Sequence, residues 1–241
     1  MKQITDLYNK HLGQVIWICG SDPTIDGYPD NFLDNKIGIT LHLAYFKFFR
    51  ATYRHFNEYD RLNYCIQQDS SILKKKNIVA QPFYRRTEEE SNNLTNQLKK
   101  AYFFNLVPYP PNGNPLDIFE EIGVKAMKEQ VIKAREGTLS VIGDYGTCAH
   151  ASLYTAILMG GNPIYIIGTG FKSAGNQEHY SKVDLIDKQM RPSIELFSNP
   201  NRTKRMFAGT NAIIEGCKEI GIKIIRFENY EQYLVHINSG I

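Results

Sequence analysis

Short apolar runs alternate with helical apolar spacing along most of this chain. Runs bounded by glycine, proline or polar clusters predict strands at 14–19, 36–41, 63–67, 77–80, 102–105, 164–167 and 222–227. The clearest is Ile164 to Ile167, which is entered through Pro163 and closed by Gly168. A short, β-branched run of this kind is typical of a strand buried on both faces of a parallel sheet. A further strand tip is expected just before Gly143.

Apolar residues at three- and four-residue steps predict the helices between these strands. The predicted helices cover 4–12, 70–76, 116–135, 149–160, 202–220 and 229–237. The aromatic and basic stretch 44–59 predicts an amphipathic helix plus a sheet edge, with a base-stacking surface as the alternative. Strands that alternate with helices imply right-handed crossovers. We therefore predict one Rossmann-like α/β domain over 1–241, with a mostly parallel sheet and helices on both faces.

Two segments do not fit this alternation. Residues 81–116 are charged, amide-rich and then proline-rich, and we treat them as a variable insert. Residues 169–201 are long and polar and follow the buried strand 164–167. Loops of this length in compact domains are usually lids or binding loops, so we expect this one to cover a site.

Composition narrows the function classes. The 28 basic residues nearly balance the 25 acidic ones, which gives no reason to expect a nucleic-acid or anionic-membrane partner. The four cysteines are widely spaced without a CxxC pair, as expected of small buried side chains in a reducing compartment. No apolar run approaches the roughly 20 residues of a membrane span, and the polar start lacks the apolar segment of a signal peptide. We expect a soluble, cytoplasmic protein with no integral membrane segment.

Two glycine-bearing turns are candidate phosphate-binding sites. The first is Gly20–Ser21–Asp22–Pro23–Thr24, where glycine allows close backbone approach and the hydroxyls can donate. The alternative is an ordinary turn after a first strand. The second runs from Gly143 through Asp144 and Gly146 to Thr147, at the start of a helix whose positive end attracts anions.

The remaining candidates follow strands or lie in the lid-like loop. His42 follows the strand 36–41, and Asp69 is either a substrate-binding residue or only the N-cap of the next helix. Lys172, Lys182 and Arg191 supply cations in the loop 169–201. In the same loop, His179 is the candidate catalytic base, and Tyr180 beside it can donate to a phosphate oxygen.

The block GTCAHASLYTAILMGGNPIYIIGTGFK resembles a family that contains archaeal 6-hydroxymethylpterin diphosphokinases and motility-associated glycosyltransferases. It is more distantly similar to bacterial lipooligosaccharide sialyltransferases. The resemblance covers roughly residues 10–72 and 137–226. The relatives carry a glycine-asparagine-glycine-proline-serine turn, which Gly20 to Thr24 matches in its glycine, proline and hydroxyl, while Asp22 departs. The relatives also commonly place an asparagine after the second strand, where this chain has His42.

The resemblance implies two activities. The sialyltransferase branch implies a cytidine-nucleotide sugar held by Gly20, Pro23, Thr24 and the Gly146–Thr147 turn, with His179 as base and Tyr180 on the leaving phosphate. The diphosphokinase branch implies an aspartate cluster that holds Mg²⁺ on ATP phosphates, and here only Asp69 stands near that position.

A single carboxylate is a poor magnesium site, so we favour sugar transfer from a nucleotide-sugar donor to a glycan hydroxyl, with no metal or other cofactor assigned. The alternatives are an ATP- and Mg²⁺-dependent pyrophosphoryl transferase and a non-catalytic nucleotide-binding protein. We predict no nucleic-acid partner. The sequence does not determine the oligomeric state, and a homo-oligomer is one of the alternatives.

Overall fold

The computed structural model describes residues 2–74, 77–81, 87–98, 100–107, 123–139, 141–143, 147–169 and 200–239. The described strands are β1 Lys2–Gln3, β2 Ile16–Cys19, β3 Ile37–Leu41, β4 Tyr53–Phe56, β5 Ile78–Ala80, β6 Tyr102–Phe103, β7 Asn105–Val107, β8 Val141–Gly143, β9 Ile164–Ile167 and β10 Ile224–Arg226. The α-helices are α1 Tyr59–Gln68, α2 Glu88–Gln97, α3 Val124–Glu136, α4 Cys148–Leu158, α5 Pro200–Glu219 and α6 Tyr230–Asn238. Short 3₁₀ helices cover Ile4–Leu7, Pro23–Gly27, His42–Phe46 and Ser70–Lys74.

Eight of these strands form one sheet in the order β1-β6-β5-β4-β3-β2-β9-β10, and each pairing in it is parallel. The central strand β2 pairs Ile16 with Ile37 of β3 on one side and with Ile164 of β9 on the other. Strands β7 and β8 pair in a separate two-stranded parallel sheet. The predicted α/β class, with a mostly parallel sheet and helices on its faces, is confirmed.

Apolar clusters lie on both faces of the large sheet because side chains alternate along each strand. On β2, Ile16 and Ile18 belong to one cluster, while Trp17 and Cys19 belong to the other. Helix α4 packs in the first cluster, and every residue from Ala149 to Leu158 is buried. A helix that is buried all round has no polar stripe, and its sequence is mostly apolar or small, with the buried His150 bonded to Thr210 and to the Met206 carbonyl.

Two predictions in the first half of the chain are wrong. Residues 63–67 are not a strand, because they lie in α1. Leu62 and Cys65, three residues apart, lie on the buried side of this helix. The real strand is β4, within the stretch assigned to an amphipathic helix and sheet edge, and it lies between β3 and β5. Its four residues are all buried, so the alternating aromatic and basic residues serve opposite faces of the sheet rather than a helix.

Smaller differences concern bounds and sheet membership. The predicted helix 4–12 is only a 3₁₀ helix over Ile4–Leu7 followed by turns, and 102–105 divides into β6 and β7. The predicted strands 36–41, 77–80 and 164–167 and the last two helices are confirmed within a few residues. The proline-rich loop 108–115, the start of the predicted helix 116–135 and nearly all of the lid-like loop lie outside the described residues.

Three further observations bear on the function classes. Cys19, Cys65 and Cys217 are buried and Cys148 is partly exposed, and none of these four described cysteines forms a disulfide. Across the ranges given above, no helix combines the length and the apolar character that crossing a membrane requires. Within the same ranges, no group of three or more histidine, cysteine, aspartate or glutamate side chains is placed to hold a metal ion.

Candidate functional site

The strand order defines a switch point between β2 and β9. The chain moves outward from β2 through β3, β4, β5 and β6, and later returns to the other side of β2 with β9 and β10. In open parallel sheets, ligands bind outside the carboxyl ends of the strands at such a point. Cys19 and Ile167 are the last residues of the two strands, so the turns that begin at Gly20 and Gly168 lie there.

These two turns are packed directly against each other. A Cβ atom on Gly20 would clash with the Gly168 carbonyl, and a Cβ atom on Gly168 would clash with Ile25. Gly168 also has a φ angle of +63°, in the left-handed region that favours glycine. The Gly20 N–H donates to Ile167 O at 2.9 Å, and the Asp22 N–H donates to Gly168 O at 3.1 Å. Both glycines are therefore required by close backbone approach.

The Gly20–Thr24 turn uses its own donors internally. Asp22 is the N-cap of the 3₁₀ helix Pro23–Gly27, and its Oδ1 accepts from the Thr24 N–H at 3.0 Å. The carboxylate of Asp22 thus caps a helix. Because the N–H groups of Gly20, Asp22 and Thr24 all donate within the protein, this turn does not present a row of backbone donors to a phosphate. The side chains of Ser21 and Thr24 are half-buried at the same turn.

Thr147 caps α4 at the same edge of the sheet. Its Oγ1 accepts from the Ala149 N–H at 3.3 Å. Helix α4 leads down to the start of β9, so its positive N-terminal end lies at the carboxyl edge, where it favours negative charge. The strand before this turn, β8, belongs to the small second sheet, and the Gly143 N–H donates to Gln130 Oε1 at 2.9 Å. Asp144 and Gly146 lie outside the described residues.

His42 lies where the sequence predicts it, directly after β3. Its φ angle is +45°, and it begins the 3₁₀ helix His42–Phe46. Its Nε2 accepts the backbone N–H of Asn57 at 3.1 Å, so a neutral His42 carries its proton on Nδ1. The ring is stacked on Phe56 with a centroid distance of 6.3 Å. The ends of β3 and β4 are thereby tied together through a histidine side chain.

Asn57, which the sequence interpretation missed, is the most unusual residue at this edge. It follows β4 and is 3% exposed, and neither Nδ2 nor Oδ1 of its side chain has a hydrogen-bond partner. Each unsatisfied buried polar group costs about 1–3 kcal/mol of stability. The amide lies close to the His55 ring but makes no hydrogen bond of ordinary geometry to it. A buried donor and acceptor of this kind suit a ligand with both functions, such as a nucleobase edge or a pair of sugar hydroxyls.

His55 lies beneath Asn57 on the face that α4 covers. Its Nε2 is 3.3 Å from Thr155 Oγ1, its ring lies 5.1 Å from that of Phe104, and its Nδ1 has no partner. The pKa of His55 is lowered to about 3, chiefly by complete burial and also by the nearby His42, while the neighbouring Asn57 side chain partly opposes this shift. His55 is therefore neutral near pH 7 and is too weak a base to accept a proton from a substrate.

Asp69 does not join this group. Helix α1 starts just after Asn57 and carries the chain back to the start of β5, so Asp69, at the end of α1, lies toward the opposite edge. Its Oδ1 accepts the Ser71 N–H at 3.0 Å, and its Oδ2 accepts from the Tyr45 hydroxyl. The bond from Ser71 is that of a helix cap, which was the simpler of the two interpretations that the sequence allowed, and the bond from Tyr45 joins this cap to the 3₁₀ helix His42–Phe46.

The structure thus brings part of the predicted site to one edge. The turn Gly20–Thr24, His42 and Thr147 all lie at the carboxyl ends of the strands, together with three buried residues that the sequence interpretation missed, namely Asn57, Gln81 and Thr169. The predicted catalytic pair His179 and Tyr180, and the lysines Lys172 and Lys182, lie outside the described residues. Asn57 was missed because β4 was not recognised, although the strand formers Tyr53 and Phe56 stand at its two ends and a polar pair closes the run.

Comparison with known protein families, with curated proteins and with solved structures finds no match to this chain. The resemblance drawn from the sequence therefore stays a prediction, and the functional argument depends on the residues at the carboxyl edge.

Proposed function

We propose that this protein is a transferase that binds a nucleotide-activated sugar at the carboxyl edge of its parallel sheet and transfers the glycosyl group to a glycan hydroxyl. The observation that carries the proposal is the buried Asn57 side chain, whose amide is unpaired in the described structure. A nucleotide sugar provides hydrogen-bond donors and acceptors for that amide. Its phosphates fit the positive end of α4 and the hydroxyls of Ser21 and Thr24.

The chemistry assigned to the site follows from the residues of the lid-like loop. His179 takes the proton of the acceptor hydroxyl, whose oxygen forms a bond to the sugar carbon as the bond from that carbon to the phosphate oxygen breaks. The electron pair leaves with the nucleotide. Tyr180 and the lysines Lys172 and Lys182 offset the charge that grows on the departing phosphate.

The position of Asp69 favours sugar transfer over pyrophosphoryl transfer. The diphosphokinase alternative needs carboxylates that hold Mg²⁺ beside the nucleotide phosphates. Asp69 was the residue available for that role, and it instead accepts from Tyr45 and Ser71 away from the carboxyl edge. A strict requirement for both ATP and Mg²⁺ would nevertheless restore this alternative.

The His179→Ala variant tests the catalytic assignment. If His179 is the base, the variant binds the donor as wild type does but turns over about 10²- to 10⁴-fold more slowly. The measurement is nucleotide release from cytidine and uridine sugars with a glycan acceptor, alongside donor binding by calorimetry. Equal losses of binding and turnover, or no loss of either, would refute the role. Tight nucleotide binding by wild type without any donor turnover would instead favour a non-catalytic binding protein.

A further inference from the structure

The segment 4–15 crosses the amino edge of the sheet, opposite the candidate site. It connects β1 with β2, and the strand order makes it pass β6, β5, β4 and β3 on the way. Ile4 and Leu7 anchor it in the core. Its backbone also donates to the end of α4, from Asn9 to Leu158 O at 2.9 Å and from His11 to Met159 O at 2.8 Å. The segment is therefore a fixed part of the protein surface, which we call the crossing segment.

The outward side of the crossing segment is apolar. Tyr8 is 44% exposed, Leu12 is 59% exposed and Val15 is 38% exposed. Tyr8 lies over the end of α3, where its ring would be 2.7 Å from a Cβ atom on Gly137. Leu12 lies over the end of α4, beside Gly160. Three large apolar side chains within eight residues are thus exposed to solvent, although the backbone that carries them is anchored to the core.

Cations surround these apolar side chains. Lys2 Nζ lies 4.8 Å and Lys10 Nζ lies 5.3 Å from the centre of the Tyr102 ring, and Lys10 Nζ donates to the Tyr102 hydroxyl at 3.2 Å. Neither ammonium group forms an ion pair with any of the described carboxylates. Lys133 and Arg135 lie in the last turn of α3, the helix whose end Tyr8 covers.

Lys74 and Lys100 precede β5 and β6 at the same edge. The acidic residues of these segments are Asp6 and Glu136, and Asp6 accepts the Gln3 N–H at 2.9 Å. The near balance of charge over the whole chain therefore hides a local excess of cations.

We propose that the amino edge docks on an anionic lipid surface. Tyr8, Leu12 and Val15 would enter the headgroup region, while Lys2 and Lys10 would contact lipid phosphates. A nucleic acid or an acidic protein would bind the cations, but it would not account for the aliphatic side chains of Leu12 and Val15 that stand among them. Docking in this orientation turns the carboxyl edge away from the membrane. The proposal does not depend on the activity of that edge.

Vesicle flotation of the full chain tests the proposal. We expect wild type to float with phosphatidylcholine vesicles that contain about 30% phosphatidylglycerol and not with phosphatidylcholine alone. The double variant Leu12→Gln/Val15→Gln and the double variant Lys2→Gln/Lys10→Gln should each bind about tenfold more weakly. Matched controls are Val235→Gln, at a side chain that is 69% exposed on α6, and Lys125→Gln at the far end of α3. Both controls should bind as wild type does.

The contradicting outcomes are distinct. Absence of binding to the phosphatidylglycerol vesicles overturns the proposal, as does binding that neither double variant weakens. Binding that depends on the lysines but not on Leu12 and Val15 would assign the edge to a soluble polyanion and would also overturn it. Circular dichroism of each variant establishes that the fold is kept.

Discussion

The side chain of Asn57 lowers the stability of the folded protein when no ligand is bound. Its side chain is buried with both polar atoms unpaired, next to a histidine that accepts its backbone N–H. Proteins keep such groups where function requires them, because the stability lost is recovered when a ligand binds. The amide of Asn162 at the other edge is a useful contrast. Its Nδ2 donates to Gly221 O at 3.2 Å, and its Oδ1 accepts from the Lys223 N–H at 3.0 Å.

The Asn57→Leu variant should be more stable than wild type when no ligand is present. Leucine has a similar branched shape and removes two unsatisfied polar atoms, so we expect a gain of about 1 kcal/mol and a melting temperature about 2–4 °C higher. Asn162→Leu breaks two hydrogen bonds and should lower stability. Urea unfolding measures both free energies. A destabilised Asn57→Leu variant would mean that the amide is satisfied in the free protein.

His55 should make the protein acid-sensitive. The pKa of its imidazole is about 3 in the folded protein, against an ordinary value of 6.5 in the unfolded chain. Between these values the unfolded chain binds more protons than the folded one, so stability increases with pH and is lost as the pH falls below about 6.5. This contribution is absent in His55→Gln. The free energy of unfolding of the variant should therefore fall less steeply on acidification, and the two slopes should differ by up to about 1.4 kcal/mol per pH unit. Urea unfolding at several pH values measures the slopes. Identical slopes would contradict the burial of a neutral His55.

At the scale of the elements, two turns at the switch point act as one unit. The turn after β2 donates the Asp22 N–H to the Gly168 carbonyl of the turn after β9, and no space remains between Gly20 and Gly168 for a side chain. The relative position of the hydroxyls of Ser21 and Thr24 therefore depends on the turn after β9.

Gly168→Ala tests this pairing against Gly13→Ala. Both glycines have positive φ angles, +63° and +71°, so both variants carry the conformational cost of about 1–2 kcal/mol. Only at Gly168 does the new Cβ also meet Ile25 and Gly20, whereas nothing lies within 4 Å at Gly13. We expect Gly168→Ala to be less stable than Gly13→Ala by a further 1–3 kcal/mol or so in urea unfolding. Equal losses would show that the two turns are not in close contact.

The elements that sequence reasoning predicted correctly are those with one dominant signal. Strand β9 is β-branched and bounded by Pro163 and Gly168, and α4 ends at paired glycines. In contrast, β4 alternates aromatic and cationic residues because Arg54 faces Tyr45 on one side while His55 faces α4 on the other. That pattern resembles an amphipathic surface, and only the neighbouring strands bury it.

At the scale of the whole molecule, the parallel sheet places the turns that follow its strands at one edge and the segments that precede its strands at the other. Every strand of the large sheet ends at the same side, so turns that are far apart in sequence meet there without any local signal. This is why Gly20 and His42 could be predicted to lie at one edge once the alternation of strands and helices was recognised. Thr147 follows β8 of the small sheet, and it lies at this edge because α4 leads from it down to the start of β9. The same rule could not identify Asn57 from the sequence, because Asn57 follows β4, which was not recognised as a strand. The rule excludes Asp69, because α1 carries the chain back to the opposite edge before Asp69.

The most direct test of the account is the thermal shift that nucleotides produce in wild type and in Asn57→Leu. A ligand at about a hundred times its dissociation constant stabilises the fold by about 2.7 kcal/mol, so wild type should melt roughly 5–10 °C higher with a cytidine or uridine sugar. Asn57→Leu should show little or no shift, whereas Asn162→Leu should keep the full shift. An equal shift in wild type and Asn57→Leu, or no shift in wild type with any nucleotide, would contradict a nucleotide-sugar site at the carboxyl edge of the sheet.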